Sequence, residues 1–470
     1  MTGAFQMGRL ILLLVCLAAL IGEAVSRIEG AEPAVSRPAF SRGVVAADHP
    51  LASEAGAEML RQGGNVVDAA VATSFALSVV RPESCGLGGG GFMVIWNAAT
   101  RSTVALDYRE RAPQRATANM FIPTADGDGV SATHSRTGGL AAGIPGNVAG
   151  LCYALDHYGT LDLPTVLAPA IRLAQQGVTV DATTIRNQRE TLNDLRQLGP
   201  LAGRFETLNS LYLNQGRTWN AGDQFHSPLE TVLRQIASDG ASGFYRGEVG
   251  AALLAEVQRQ GGIWTAADLQ PDRLVVEREP LRLPYHGAEI LTMPPPSSGG
   301  VALIEMLQIL AAYDHRFPDQ PLTKLEHNSA AYLHRLTEAS KHAFADRAAW
   351  LGDADFVAVP VARLTNPRYT EELAKTFNPH ITLAPSDYGR IALPDDAGTS
   401  HLSVVDAAGN AVACTETINT TFGSFVVEPK FGVILNNEMD DFTARPGEPN
   451  AFGLIQSERN AVAAGKKPLS

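Results

Sequence analysis

Apolar and polar positions change period several times along the chain, and each change predicts an element. Residues 52–60 carry apolar positions at helical spacing, and Arg61-Gln62-Gly63-Gly64-Asn65 then stops that helix. Residues 66–80 are rich in Ala and Val, almost uniformly apolar and too long for an ordinary strand, which predicts a buried helix. Residues 85–96 read as a glycine turn entering a core strand, with 104–108 as its partner. A glycine-punctuated segment over 138–150 leads into a helix through Leu155. Further helices are predicted over 164–175 and 228–238, each opening with a proline, which suits a first helical position. Residues 281–283 and 289–293 read as short strands, and Pro294-Pro295-Pro296-Ser297-Ser298-Gly299-Gly300 as a rigid turn. Helices follow over 301–311 and 330–345, with surface connections over 360–365 and 382–399.

The pattern shifts at Thr399. Residues 402–405 and 411–417 have strand composition, joined by a hairpin turn at Asp406-Ala407-Ala408-Gly409-Asn410. Residues 425–427 and 433–435 read as further strands, and 446–450 as a loop. Helical and strand patterns mix throughout without a fixed-period repeat, which predicts a layered α/β fold.

Composition narrows the picture. The chain has 470 residues, 45% of them hydrophobic, enough for a large core. A formal net charge of −12 disfavours nucleic acid and anionic membranes as partners, while leaving room for a local basic pocket. Arg9 precedes an apolar run over 10–21, and small residues follow, with Ala24 and Ser26 as cleavage positions. That reads as a signal peptide over 1–26, since the run is short for a bilayer span. The mature protein is therefore expected in the periplasm or secreted. Cys85, Cys152 and Cys414 remain after cleavage, too few and too scattered for a disulfide scaffold. Buried single thiols are the expectation for all three.

Several chemistries lack their signatures. Gly88 to Gly91 has neither the lysine and serine of a nucleotide loop nor dinucleotide spacing, so it reads as a turn where backbone passes close to backbone. There is no His-x-x-x-His or Cys-x-x-Cys pair to suggest a metal, and no Gly-x-Ser-x-Gly elbow. The dense polar constellation runs from Gly398 to Asp441. It holds Gly398-Thr399-Ser400-His401, then Thr417-x-Asn419-Thr420-Thr421-Phe422-Gly423, then Asn436-Asn437-Glu438-Met439-Asp440-Asp441. By composition alone it fits either a catalytic site or the polar rim of a sheet.

These segments resemble the gamma-glutamyltransferases (gamma-glutamyltranspeptidases), members of the N-terminal nucleophile hydrolases. The resemblance runs from about Gly43 to Ser470. Its further markers are Gly63-Gly64-Asn65-x-x-Asp68-Ala69-Ala70, residues 87–93, Tyr108-Arg109-Glu110-x-Ala112-Pro113, Ala345-Asp346-Arg347 and Leu351-Gly352-Asp353. The resemblance implies a four-layer αββα sandwich and a two-step life. Self-cleavage at Gly398–Thr399 would separate a large-subunit part (27–398) from the start of a small-subunit part (399–470), both within one structural domain. Thr399 would then be the nucleophile that takes a gamma-glutamyl group from glutathione or another gamma-glutamyl amide. Water or an amino acid or peptide acceptor would receive it, and no cofactor is required. By matching position, Thr417 would orient Thr399, and Arg109 and Ser470 would contact the substrate α-carboxylate. Glu438 and Asp441 would hold its α-ammonium, with Asn419 orienting that end.

Two positions depart from the family pattern. Phe452 stands where the gating loop has a tyrosine. The stretch from Thr399 to Ser470 has 72 residues, without the second serine or the glycine pair of the oxyanion hole, which reads as a C-terminally incomplete fold. The alternative readings are a cephalosporin or glutaryl acylase-like amidase and an inactive truncated scaffold or interaction protein.

Overall fold

The computed structural model describes residues 43–123, 134–384, 387–388 and 399–470. The signal-peptide segment and Gly398 lie outside the described residues. Strands are β1 (Gly43–Ala47), β2 (Gly90–Asn97), β3 (Ser102–Asp107), β4 (Val276–Arg278), β5 (Leu281–Tyr285), β6 (Ala288–Thr292), β7 (Thr399–Asp406) and β8 (Ala411–Thr417), besides a two-residue pair, Val178–Thr179 with Gln224–Phe225. Six of them form one antiparallel sheet in the order β1-β7-β8-β2-β3-β4, and β5 and β6 form a separate hairpin. The longer helices are α1 (Pro50–Arg61), α2 (Val66–Val80), α3 (Asn147–Tyr158), α4 (Leu163–Gln176), α5 (Ala182–Gln197), α6 (Glu230–Asp239), α7 (Gly247–Arg259), α8 (Gly299–Arg316) and α9 (Ala330–Trp350).

Every residue of α2 is buried, as its uniform apolarity predicts. Its start is set by a capping box. Asn65 Oδ1 accepts from the Val67 and Asp68 amides, and the Asn65 amide donates to Asp68 Oδ2 at 2.6 Å. Asp68 also accepts from the Thr160 and Leu161 amides, so the Asn65-x-x-Asp68 motif ties α2 to the loop after α3. Burial alternates along β7. Ser400, Leu402 and Val404 are buried, whereas Thr399, His401 and Val405 are exposed. The sheet thus has one apolar face packed against α2 and one open face carrying Thr399.

The glycine run is explained by close approach. A Cβ on Gly88 would lie 2.0 Å from Ile434 O, and one on Gly89 would lie 2.1 Å from Thr417 O. Backbone therefore occupies the space that any side chain would need.

Several expectations need correction. Residues 425–427 and 433–435 are not regular strands; only an isolated bridge, Val427 to Ile434, joins them. Phe422, Gly423 and Phe425 have φ of 57°, 53° and 63°, and left-handed residues break the strand repeat. The segment 360–365 is not a mere surface connection: it contains a helical turn, Val361–Leu364, and Leu364 is fully buried. Helix α6 begins at Glu230, so Pro228 precedes it, and α8 and α9 extend to Arg316 and Trp350. The three cysteines are free; Cys85 and Cys414 are buried, but Cys152 is only half-buried.

Candidate active site

Antiparallel pairing places Thr399 opposite Thr417, and Thr417 opposite Gly90. The Thr399 hydroxyl donates to Thr417 Oγ1 at 3.2 Å, and the Asn419 backbone amide donates to the same oxygen at 2.7 Å. Asn419 sits at φ 77°, a left-handed conformation that asparagine tolerates. Its side chain donates to Asn437 O at 3.0 Å.

The turn Glu438–Asp441 is held from below by Asn436. Asn436 Oδ1 accepts from the Glu438 and Gly143 amides, and its Nδ2 donates to Gly88 O and Gly143 O. Two acidic side chains of this turn then meet Arg109. Arg109 Nη1 lies 2.5 Å from Glu438 Oε1, and Nη2 donates to Asp441 Oδ2 at 2.6 Å. Glu110 approaches the same guanidinium at 4.0 Å. Arg109 is 3% exposed and Glu438 is 1% exposed, so this is a buried cluster of three carboxylates around one cation. Burial alone would lower the Arg109 pKa, but the three carboxylates override it and the net direction is up. Burial pushes Glu438 well above the usual carboxylate range against the pull of Arg109, and Glu110 up to about 7.

Residues 465–470 thread beside this cluster. Lys467 is buried and lies 2.6 Å from Asp107 Oδ1, while Arg278 Nε donates to Asp107 Oδ2 at 2.8 Å. Asp107 Oδ1 also accepts from the Arg109 amide. The Lys467 amide donates to Asp353 Oδ2, which gives the Leu351-Gly352-Asp353 motif a docking role. At the end of this segment the Ser470 hydroxyl accepts from the Ser298 amide at 3.2 Å and donates to Ser297 Oγ at 3.4 Å.

A cleft of about 610 Å³ unites these groups. It is lined by Thr399, Thr417, Arg109, Asn419, Glu438, Asp441, Ser470 and Phe452, so every candidate site residue with a described position faces one cavity. The loop residues Phe452 and Leu454 form part of its wall. The structure adds two groups that sequence reasoning left without a role. His401 lies two residues along β7 from Thr399, with Nδ1 2.8 Å from Thr415 Oγ1, and burial lowers its pKa. Arg347, on α9, lines the cleft beside Ser470. The i, i+2 spacing of Thr399 and His401 was legible; the position of Arg347 depends on how α9 packs.

The buried acids predict a pH response. Glu416, on β8 beneath the site, accepts from the Ser74 hydroxyl at 2.5 Å and from the Tyr108 hydroxyl at 3.3 Å. Burial raises its pKa from the usual 4.5 to about 7, against those hydrogen bonds. Between these values the folded state binds more protons than the unfolded one, so stability falls as pH rises from about 4.5 to about 7. One such group contributes a slope of at most about 1.4 kcal/mol per pH unit. Glu416→Gln keeps a neutral acceptor and should flatten the decline by that amount. Urea unfolding at pH 5 to 8 checks this, and identical slopes in the two proteins would refute it.

A central antiparallel sheet backed by helices, with a threonine hydroxyl opening one of its strands, defines an N-terminal nucleophile hydrolase of the α/β type. The family model described as Gamma-glutamyltranspeptidase matches residues 52–470, and the chain belongs to that family. Among curated relatives, it is 39% identical over 446 residues to the glutathione hydrolase proenzyme of Escherichia coli (strain K12), covering 94% of this chain and 74% of that one. Among solved structures, it is similar to the Helicobacter pylori gamma-glutamyltranspeptidase, with 37% identity and a TM-score of 0.66, over 74% of this chain and 95% of that one. The cephalosporin acylase from Bacillus halodurans aligns with 26% identity and a TM-score of 0.73, over 93% of this chain and 76% of that one. No helix among the described residues is long and apolar enough to cross a membrane.

Proposed function

We propose that the protein is a self-cleaving gamma-glutamyltransferase and hydrolase acting on glutathione and other gamma-glutamyl amides. The observation that carries this reading is the shared cleft, in which the Thr399 hydroxyl and the Arg109, Glu438 and Asp441 cluster face one cavity. In the first step Thr399 Oγ attacks the Gly398 carbonyl, the Gly398–Thr399 amide becomes an ester, and water hydrolyses it. Gly398 leaves as a carboxylate and Thr399 gains a free amine. An α-amine titrates at about 7.7–8.0, far below lysine, so a useful fraction is neutral at physiological pH and can take the hydroxyl proton. In the second step Thr399 Oγ attacks the gamma-carbonyl and the leaving amine departs protonated. The acyl-enzyme ester is then opened by water or by an acceptor amine.

Thr417 is the orienting partner, since its Oγ1 is fixed by the Asn419 amide while it meets the Thr399 hydroxyl. Glu438 and Asp441 bind the α-ammonium, Asn419 orients that end, and Arg109 and Ser470 contact the α-carboxylate. Phe452 covers the pocket without the hydroxyl of a tyrosine. The division into parts 27–398 and 399–470, their association as subunits, and a periplasmic or secreted location belong to the same proposal, as does the four-layer sandwich. Its second sheet would pack on the open sheet face, where Val44 and Val405 are exposed.

The likeness to the cephalosporin acylase favours a second reading, a glutaryl-type amidase. Substrate charge separates the two, because a glutaryl group lacks the ammonium that Glu438 and Asp441 would bind. Release of the chromogenic amine from gamma-glutamyl anilide should exceed that from glutaryl anilide by roughly 100-fold, as expected when buried acceptors lose their partner. A preference for the glutaryl substrate would overturn the proposal in favour of the acylase reading.

A further inference from the structure

We propose that Arg347 is a second carboxylate-binding residue of the cleft, acting beside Arg109 on the α-carboxylate; this rests on the gamma-glutamyl reading above. Arg347 is 6% exposed and lines the cavity. Its Nε donates to Ser298 Oγ at 2.9 Å, and its Nη2 donates to the backbone oxygen of Ser470 at 2.9 Å. Its Nη1 is buried with no hydrogen-bond partner among the described residues. The two arginines of the cleft therefore differ in kind. Both terminal nitrogens of Arg109 lie on carboxylates, whereas no Asp or Glu among the described residues forms an ion pair with Arg347.

A buried guanidinium nitrogen without a partner, as Nη1 is, is costly, and an arriving anion relieves that cost. The planar guanidinium fork suits a carboxylate in particular. Burial lowers the Arg347 pKa to about 10, against the pull of the Asp441 charge and with the Arg109 cation adding to the burial. The surroundings are polar as well: Ser298 Oγ, which accepts from Arg347, donates to the Ser470 backbone oxygen, and the Ser470 hydroxyl donates to Ser297 Oγ. Arg109 then acts in two ways. It assembles the acids that hold the ammonium, and it shares the carboxylate with Arg347. Loading a zwitterionic donor leaves the net charge of the cleft unchanged, and each charge of the donor finds an opposite partner.

The test is equilibrium binding of three probes to the 470-residue chain and to its Arg347→Gln and Arg347→Lys variants. L-glutamate has both α-groups, glutarate lacks the ammonium, and 4-aminobutyrate lacks the α-carboxylate. Arg347→Gln should weaken L-glutamate and glutarate by about 30-fold or more and move 4-aminobutyrate by less than about threefold. Arg347→Lys should recover part of the loss, and thermal unfolding of the variants checks the fold. Equal loss for all three probes would assign Arg347 a purely structural role and overturn the proposal. So would no loss for any probe. A wild type that binds glutarate but not L-glutamate would overturn the gamma-glutamyl reading alone, and the glutarate response would still decide Arg347. A wild type that binds none of the three overturns both.

Discussion

Thr399→Ala should remain a single chain and release no amine from gamma-glutamyl anilide above background, a loss of about 10³-fold or more. The substitution removes the hydroxyl that lies 3.2 Å from Thr417 Oγ1 and leaves the β7 backbone pairing intact, so the protein should still fold. Thr399→Ser keeps the hydroxyl and should cleave more slowly. Serine lacks the methyl that restricts χ1, and less of its population occupies the attacking rotamer. Intact mass and anilide hydrolysis decide both cases. Activity in an uncleaved Thr399→Ala chain would rule the mechanism out, and so would cleavage mapped to another bond in the wild type.

Arg109→Ala should cost both binding and stability. From the sequence, Arg109 carries a role only toward substrate. The structure gives it internal partners as well, Glu438 at 2.5 Å and Asp441 at 2.6 Å, in a buried cluster. Removing one partner of a buried ion pair costs about 3–5 kcal/mol, because the remaining charges have no compensation. Three carboxylates would then repel one another. The folded state must bind protons to relieve that repulsion, and without Arg109 the acids titrate above their wild-type positions, where Glu110 already stands at about 7, so the deficit against wild type should shrink as pH falls from about 9 to about 7. Urea unfolding of both proteins across that range measures it. A deficit below about 1 kcal/mol, or one independent of pH, would show that the ion pairs contribute little to the fold.

Local signals were legible where one segment satisfies itself. The identity of α2 follows from fifteen consecutive buried positions and an Asn65–Asp68 capping box, all within its own stretch. The β7–β8 hairpin follows from its turn, whose Asp406 accepts from the Ala408 and Asn410 amides. The segment around 425–435 was not legible. Its Phe and Val content favours strand, but Phe422 and Phe425 take positive φ, with the Phe422 amide donating to Glu83 O and the Phe425 amide to Phe422 O, and phenylalanine carries no signal for that conformation.

The site divides in the same way. Resemblance picked out Thr399, Thr417, Asn419, Glu438, Asp441 and Arg109 as residue types in order along the chain. Composition alone could not separate them from a polar sheet rim. Which of these groups pair was decided by packing across long separations. Arg109 and Asp441 are 332 positions apart, and Lys467 reaches Asp107 across 360. Arg347 and Asp353 stood in recognisable motifs, yet their partners, Ser298 with Ser470 and the Lys467 amide, come from other segments. Element types, family and candidate chemistry are written in the linear chain, because periodicity, capping and turn residues act within a few positions of themselves. That Arg109 is ion-paired while Arg347 is not emerges only once the chain has folded. The energy of a buried charge depends on which distant groups are packed around it.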